Sequence, residues 1–380
     1  MTRHVATAPA RFGGAAIDSA LRLQMLVAAL AVVAGCAHAQ PLVVPDSGPW
    51  PSGKGFQFDS REKKTRQSVS GMACNLDANK FPVCLVVFDE GMDARFASLG
   101  KESLLVQSER VALGAAGGEL DAEGAASDGR YFYVTGSHSA KRSDCKSNPA
   151  SRQVIRFRVD PATGRALRSP AGDAQGALVG YQSSGRLWSI LQALPELQSF
   201  VGERMCLGSD APSGAPGLSG RQGINIEGLA LRGDRLYFGL RGPVQRGVAR
   251  VVSVDAEALF HPSDDAKPVL ARLALGERRG IRDMVAVKDG FLLLAGPDDS
   301  RSSADVPWAI HFWDGQSTAG ATALPALATL ELRGVKLRPC AKEIKPEAMA
   351  MLAETSGAYR VMVLSDGLCD GGPLKFSIRH

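Results

Sequence analysis

Aromatic residues make up only 6% of this 380-residue chain, which leaves no material for the broad stacking platforms that hold carbohydrates. No block of like charge interrupts the sequence. A formal net charge of +5, spread along the chain, is no footprint for nucleic acid. Histidine is scarce as well. Four follow position 39 (His138, His261, His311 and His380), and none stands at a spacing typical of zinc sites. Nucleotide-cradling glycine loops and the G-x-S-x-G elbow of serine hydrolases are both missing, so Ser137 and Ser139 beside His138 do not by themselves suggest a hydrolase. Outside the N-terminus, no apolar run approaches the roughly 20 residues that a membrane-spanning helix needs.

What is present is glycine (42), proline (21) and an apolar fraction of 45%. That mixture suits many short strands joined by turns around a large core. Residues 1–39 read as a secretory signal: Arg22 precedes the apolar run "MLVAALAVVAG", and small residues in "CAHAQ" fit a cut after Ala39. "VAGC" also resembles a lipoprotein box, in which Cys36 is acylated and becomes the one membrane anchor. Both readings place the folded part outside the cytoplasm, periplasmic, secreted or lipid-anchored. Without Cys36, six cysteines remain, an even number that suggests disulfides in an exported chain.

Five segments resemble one another: "SGMACNLDANKFPVCLVVFDE" from Ser70, "EGAASDGRYFYVTGSHS" from Glu123, "EGLALRGDRLYFGLRGP" from Glu227, "RDMVAVKDGFLLLAGPDD" from Arg282 and "EAMAMLAETSGAYRVMVLSDG" from Glu347. Each has a polar head, a strand of small apolar residues, a turn, a strongly β-forming strand and a polar tail. Heads are spaced by 53, 104, 55 and 65 residues. The long step is close to two short ones, which places a degenerate sixth unit near residues 175–195. Units of this length, with two strong strands and then two weaker ones ("GVARVVSVD" and "KPVLARLAL" after Glu227), suit four-stranded propeller blades. The expected fold is therefore an all-β propeller of about six blades over residues 70–380. Residues 40–69 form an N-terminal segment in which "GFQFDS" (55–60) joins the C-terminal "PLKFSIRH" to close the ring. Apolar residues at helical spacing in 185–201 predict one helical insertion.

In an antiparallel hairpin the start of the first strand lies beside the end of the second. Head and tail of every unit therefore meet at one end of the blade, and the heads converge around one mouth of the central channel. On this argument Glu123, Glu227, Arg241, Arg282, Asp283 and Glu347 line a candidate ligand site, joined by tail residues such as Asp298, Asp299 and Asp366. Glu123, Glu227, Asp283 and Glu347 form a candidate set for a hard cation such as Ca²⁺; the plainer alternative is that they fasten neighbouring blades. Arg241, set between glycines and a proline, is a candidate for gripping an anion or for pairing with Glu227. His138, in a basic loop, is the candidate base, or else an ordinary exposed loop residue. The same topology pairs Cys74 with Cys84, Cys145 with Cys206 and Cys340 with Cys369.

Around "GINIEGLALRGDRLYFGLRGPV" (223–244), with "EGA…GSHS" upstream and "IRDMVAV…LLLAGP" and "PEAMAM…VLSDG" downstream, the chain resembles the bacterial exported family known as domain of unknown function 3616. The likeness runs from about Ser70 to the end. It implies a propeller distantly similar to phytase-type esterase-like propellers, and no particular activity. Two functions follow as expectations. One is a binding or scaffold propeller that holds a small anionic ligand or a protein partner. The other is a calcium-dependent phosphoesterase whose metal polarises the phosphoryl oxygen while Arg241 steadies the developing charge.

Overall fold

Turn chemistry dictates where each inner hairpin folds back. In the third unit Arg232 pairs with Arg235 across Gly233-Asp234, and Gly233 takes the positive φ (+62°) that a two-residue loop demands. In the first, the Asp77 carboxylate accepts from the backbone N–H groups of Asn79 and Phe81, closing a longer turn. All five repeat segments make such hairpins, and each founds a separate sheet in the computed structural model, which describes residues 41–56, 62–114, 119–170, 176–206, 222–299 and 305–380.

After β1 (Leu42–Val43) and a turn of helix α1 (Glu62–Thr65), blade I comprises β2 (Val69–Leu76), β3 (Pro82–Phe88), β4 (Asp93–Leu99) and β5 (Leu104–Ala112). Blade II comprises β6 (Ala122–Ser127), β7 (Tyr131–Gly136), β8 (Val154–Arg158) and β9 (Gln182–Ser184), and is followed by helix α2 (Arg186–Ala193). Blade III holds β10 (Asn225–Arg232), β11 (Arg235–Gln245), β12 (Val248–Asp255) and β13 (Val269–Ala274), with helix α3 (Ala256–Phe260) between the last two. Blade IV holds β14 (Arg279–Val287), β15 (Gly290–Pro297), β16 (Ala309–Trp313) and, past the short β17 (Thr322–Ala323) that edges blade III, β18 (Ala326–Leu330). Blade V is three-stranded: β19 (Lys345–Thr355), β20 (Ala358–Asp366) and β21 (Leu374–Arg379).

The innermost strands β2, β6, β10, β14 and β19 touch in cyclic order, β19 returning to β2. Five apolar cores lie between the blades, one per neighbouring pair. The ring is therefore a five-bladed propeller, and the expected sixth blade does not exist. The 104-residue step holds one complete blade and then an insertion. Helix α2 lies within the expected insertion 185–201 and drives Leu187 and Leu191 into the core between blades II and III.

Ring closure also differs from expectation. "PLKFSIRH" does supply β21, but its partner is β20. The N-terminal strand β1 instead pairs in parallel with β18 of blade IV. Of "GFQFDS", residues 57–60 lie outside the described residues, as do residues 1–40, which include the expected signal and Cys36. Three disulfides, Cys74–Cys84, Cys145–Cys206 and Cys340–Cys369, staple the fold. Such bridges belong to oxidising compartments. No helix among the described residues is long and apolar enough to cross a membrane.

Candidate functional site

Every innermost strand carries a β-bulge at its head. In blade I, Val69 pairs with Phe88 and Gly71 with Val87, leaving Ser70 without a partner opposite. The same slip leaves out Glu123 in blade II, Glu227 in blade III, Arg282 in blade IV and Glu347 in blade V. A bulge re-aims the residue it releases. Here it turns four charged side chains into one cavity of about 260 Å³ at the channel mouth, lined also by Arg241, Asp89, Asp299 and Asp366. The convergence expected from hairpin topology is thus present for Glu123, Glu227, Arg241, Arg282 and Glu347.

The residue after each bulge is Gly71, Gly124, Gly228, Asp283 or Ala348. At two of the glycines the reason is space. A Cβ on Gly71 would stand 2.6 Å from the Glu123 carbonyl oxygen, and one on Gly124 would stand 2.8 Å from that of Glu227. Glu123 and Glu227 therefore each back onto the glycine of the preceding blade.

Asp283 occupies the equivalent position in blade IV, and it does not reach the cavity. Its carboxylate accepts from the N–H groups of Met284 (2.7 Å) and Met349 (2.6 Å), and from that of Leu229. Three blades are joined at one buried carboxyl, whose pKa burial pushes well above the ordinary value against the pull of those donors. Asp283 is a fastener rather than a ligand.

Arg282 stands where three of the other blades carry a glutamate and the fourth Ser70, with a glutamate on either side. Its Nε lies 2.7 Å from Glu227 Oε2, and its Nη2 meets Glu347 Oε1. Arg241 reaches Glu227 Oε1 at 2.9 Å and donates to the Asp298 carbonyl at 3.0 Å. Four buried charges thus alternate across blades III to V: Arg241, Glu227, Arg282, Glu347. The Arg282 guanidinium also lies 5.3 Å from the centroid of the Trp308 ring, over its face. Glu227 stays below its ordinary pKa because Arg282 and Arg241 together outweigh its burial. For Glu347 burial wins over Arg282, and its pKa rises to about 7.

The blade I–II side of the mouth is different. Burial first, then repulsion from neighbouring carboxylates (Glu347 foremost for Asp89, Glu227 for Glu123), raises both pKa values well above the ordinary ones, and burial raises Asp121 too. None of the three makes an ion pair among the described residues. The mouth as a whole is lined by seven carboxylates against four cationic side chains. Asp89 belongs to the polar tail of the first repeat but was not singled out there, and Asp121 was not legible from the repeat because it precedes the head of blade II.

The four residues expected to hold Ca²⁺ do not fit a calcium centre. Asp283 is engaged with backbone N–H groups, Glu227 with two arginines and Glu347 with one. Among the described residues, no group of three or more His, Cys, Asp or Glu side chains is arranged to hold a metal ion. His138 is neither an exposed loop residue nor a base at the mouth. It is 1% exposed, its Nδ1 lies 3.0 Å from the Gly136 carbonyl, and burial lowers its pKa to about 4. Ser137 donates instead to Asp121.

Fold and site together define a five-bladed propeller with a charged channel mouth. The chain belongs to the family described as protein of unknown function (DUF3616), whose profile matches residues 95–159 and 171–370. No curated protein matches it. Among solved structures it is similar to an exo-β-1,3-galactanase from Clostridium thermocellum, at 9% identity and a TM-score of 0.43, covering 86% of this chain and 61% of that one. It is also similar to a GH43 endo-arabinanase from Bacillus licheniformis (10%, TM-score 0.35, 83% and 95%) and to the Aleuria aurantia lectin (12%, TM-score 0.34, 80% and 91%). The chain spans about three fifths of the galactanase chain's length, and none of these likenesses bears on what it binds.

Proposed function

We propose that this protein is a binding propeller whose ligand is a small, positively charged molecule held at the channel mouth. One observation carries the reading: Glu227 and Glu347 in the blade III–V half of the mouth are paired with arginines, whereas Asp89 and Glu123 in the other half, with Asp121 beside them in the adjoining cleft, have no ion-pair partner among the described residues. A group of like charges in a fixed, partly desolvated pocket is relieved by a counter-ion. The anionic ligand expected from Arg241 is disfavoured, since that guanidinium is already spent on Glu227 and the Asp298 carbonyl. The phosphoesterase reading loses its metal site for the reasons above.

Titration calorimetry at low salt, comparing n-butylamine with butyrate on the mature chain, tests this. The amine is expected to bind and to displace protons from the raised carboxyls, so that the measured heat depends on the buffer's ionisation enthalpy. Glu123→Gln is expected to weaken it by about tenfold. Binding of butyrate in place of the amine sinks the proposal.

A further inference from the structure

A second cavity, of about 810 Å³, opens beside the mouth over blades I and II and shares Asp89, Glu123 and Arg142 with it. Its walls come from the loop after β7, including Ser139 and Ala140, and from the approach to β6, including Glu119 and Asp121. Five of its lining residues are acidic and three are basic. It therefore extends the acidic character of the mouth, on a chain whose net charge is +5.

The observation that points to a ligand here is an amide. Asn225 lines this side cleft, is 3% exposed and donates through Nδ2 to Glu227 Oε1 at 3.1 Å. That bond orients the amide and leaves its Oδ1 buried without a hydrogen-bond partner among the described residues. Asp89 Oδ1, at the junction of the two cavities, is buried and unpartnered in the same way. Buried acceptors left unmatched are costly, so two of them in one acidic cleft select for a donor. The donor must be cationic to suit the charge. A bare metal ion does not suit the cleft, because no three His, Cys, Asp or Glu side chains among the described residues gather around one point.

We infer that the side cleft is a second ammonium subsite, and that the ligand class is a linear diamine or polyamine with one amino group at the channel mouth and another against Asn225 and Asp89. This rests on the cation-binding reading of the mouth. A ligand that engages both ends gains from linkage, since the second contact forms at high effective concentration.

The experiment is calorimetric titration of α,ω-diamines with three to six carbons against n-butylamine, on the full mature chain and on Ala140→Trp. Ala140 sits on the loop that walls the cleft, away from the mouth, so a bulky residue there fills the cleft alone. The best diamine is expected to bind at least about tenfold tighter than butylamine, with affinity passing through a maximum as the chain lengthens. Ala140→Trp is expected to abolish that gain while butylamine binds as before, and an unchanged melting temperature confirms that the variant folds. If butylamine binds and no diamine does better, the second subsite is overturned while the mouth stands. If no amine binds at all, the reading of the mouth falls first.

Discussion

At the scale of single residues, the behaviour of the mouth turns on Arg282. It is 2% exposed and is the shared partner of Glu227 and Glu347. Removing one member of a buried charge pair leaves the others uncompensated, which typically costs about 3–5 kcal/mol. We expect Arg282→Met to lose about that much stability in urea denaturation at pH 8. The loss should shrink at pH 5. Glu347 has a folded pKa of about 7, above its ordinary value of 4.5, so the native state holds the extra proton between those limits. The stability this gives is full at low pH and disappears as pH rises through about 7. Without Arg282 the carboxyl resists ionisation further, and protonation at pH 5 relieves it. A loss equal at both pH values would mean that Arg282 acts through packing on Trp308 alone.

The innermost strand is the element that repeats. Each one slips register at its head, and the residue that follows must be small wherever the next blade's bulged carbonyl presses against it. Gly124→Ala should therefore cost about 1–3 kcal/mol, the usual penalty for forcing volume into a packed site. Gly357 lies in the outer turn between β19 and β20 with nothing within 4 Å of an added Cβ, and Gly357→Ala should be close to neutral. Comparing the two midpoints by thermal melting checks the argument; equal shifts would refute it. The heads themselves were legible in the sequence as Ser70, Glu123, Glu227, Arg282 and Glu347. Their bulged state was not, because a bulge is a mismatch between two strands and leaves no mark on either one alone. For the same reason Asp283 reads as a partner of Arg282 at the rim, although the one-residue slip sends it to the backbone of its neighbours instead.

Across the whole molecule, closure joins the two ends of the described chain. Asp370 is buried at φ +56°, accepts from the Phe56 N–H at 2.9 Å and holds Arg66 through two bonds of 2.9 and 2.7 Å. The Cys340–Cys369 bridge ends one residue away. These contacts fasten the segment leading into blade I against blade V, where the ring has its seam. Asp370→Asn is expected to lower stability by about 1–3 kcal/mol and, in hydrogen exchange, to speed opening of β19 to β21 and β2 more than of β10 to β13. Uniform loss of protection would show that the seam is no weaker than the other four interfaces.

By itself the sequence determined the all-β class, the five hairpins, the cysteine partners and the helix after blade II. Most of these are local or nearly so: a turn residue, an alternation of apolar side chains, or Cys74 and Cys84 facing across one hairpin; Cys145 and Cys206, 61 residues apart, were the pair left over. The number of blades and the chemistry of the mouth were decided only by the tertiary structure. Spacing along the chain counts residues, and a 104-residue step reads the same whether it holds two blades or one blade and an insertion. The charge of a site is likewise a property of neighbours. Glu227, Arg282 and Glu347 come from three different blades, and only the closed ring shows that they neutralise one another while Asp89 and Glu123 are left to face the cavity.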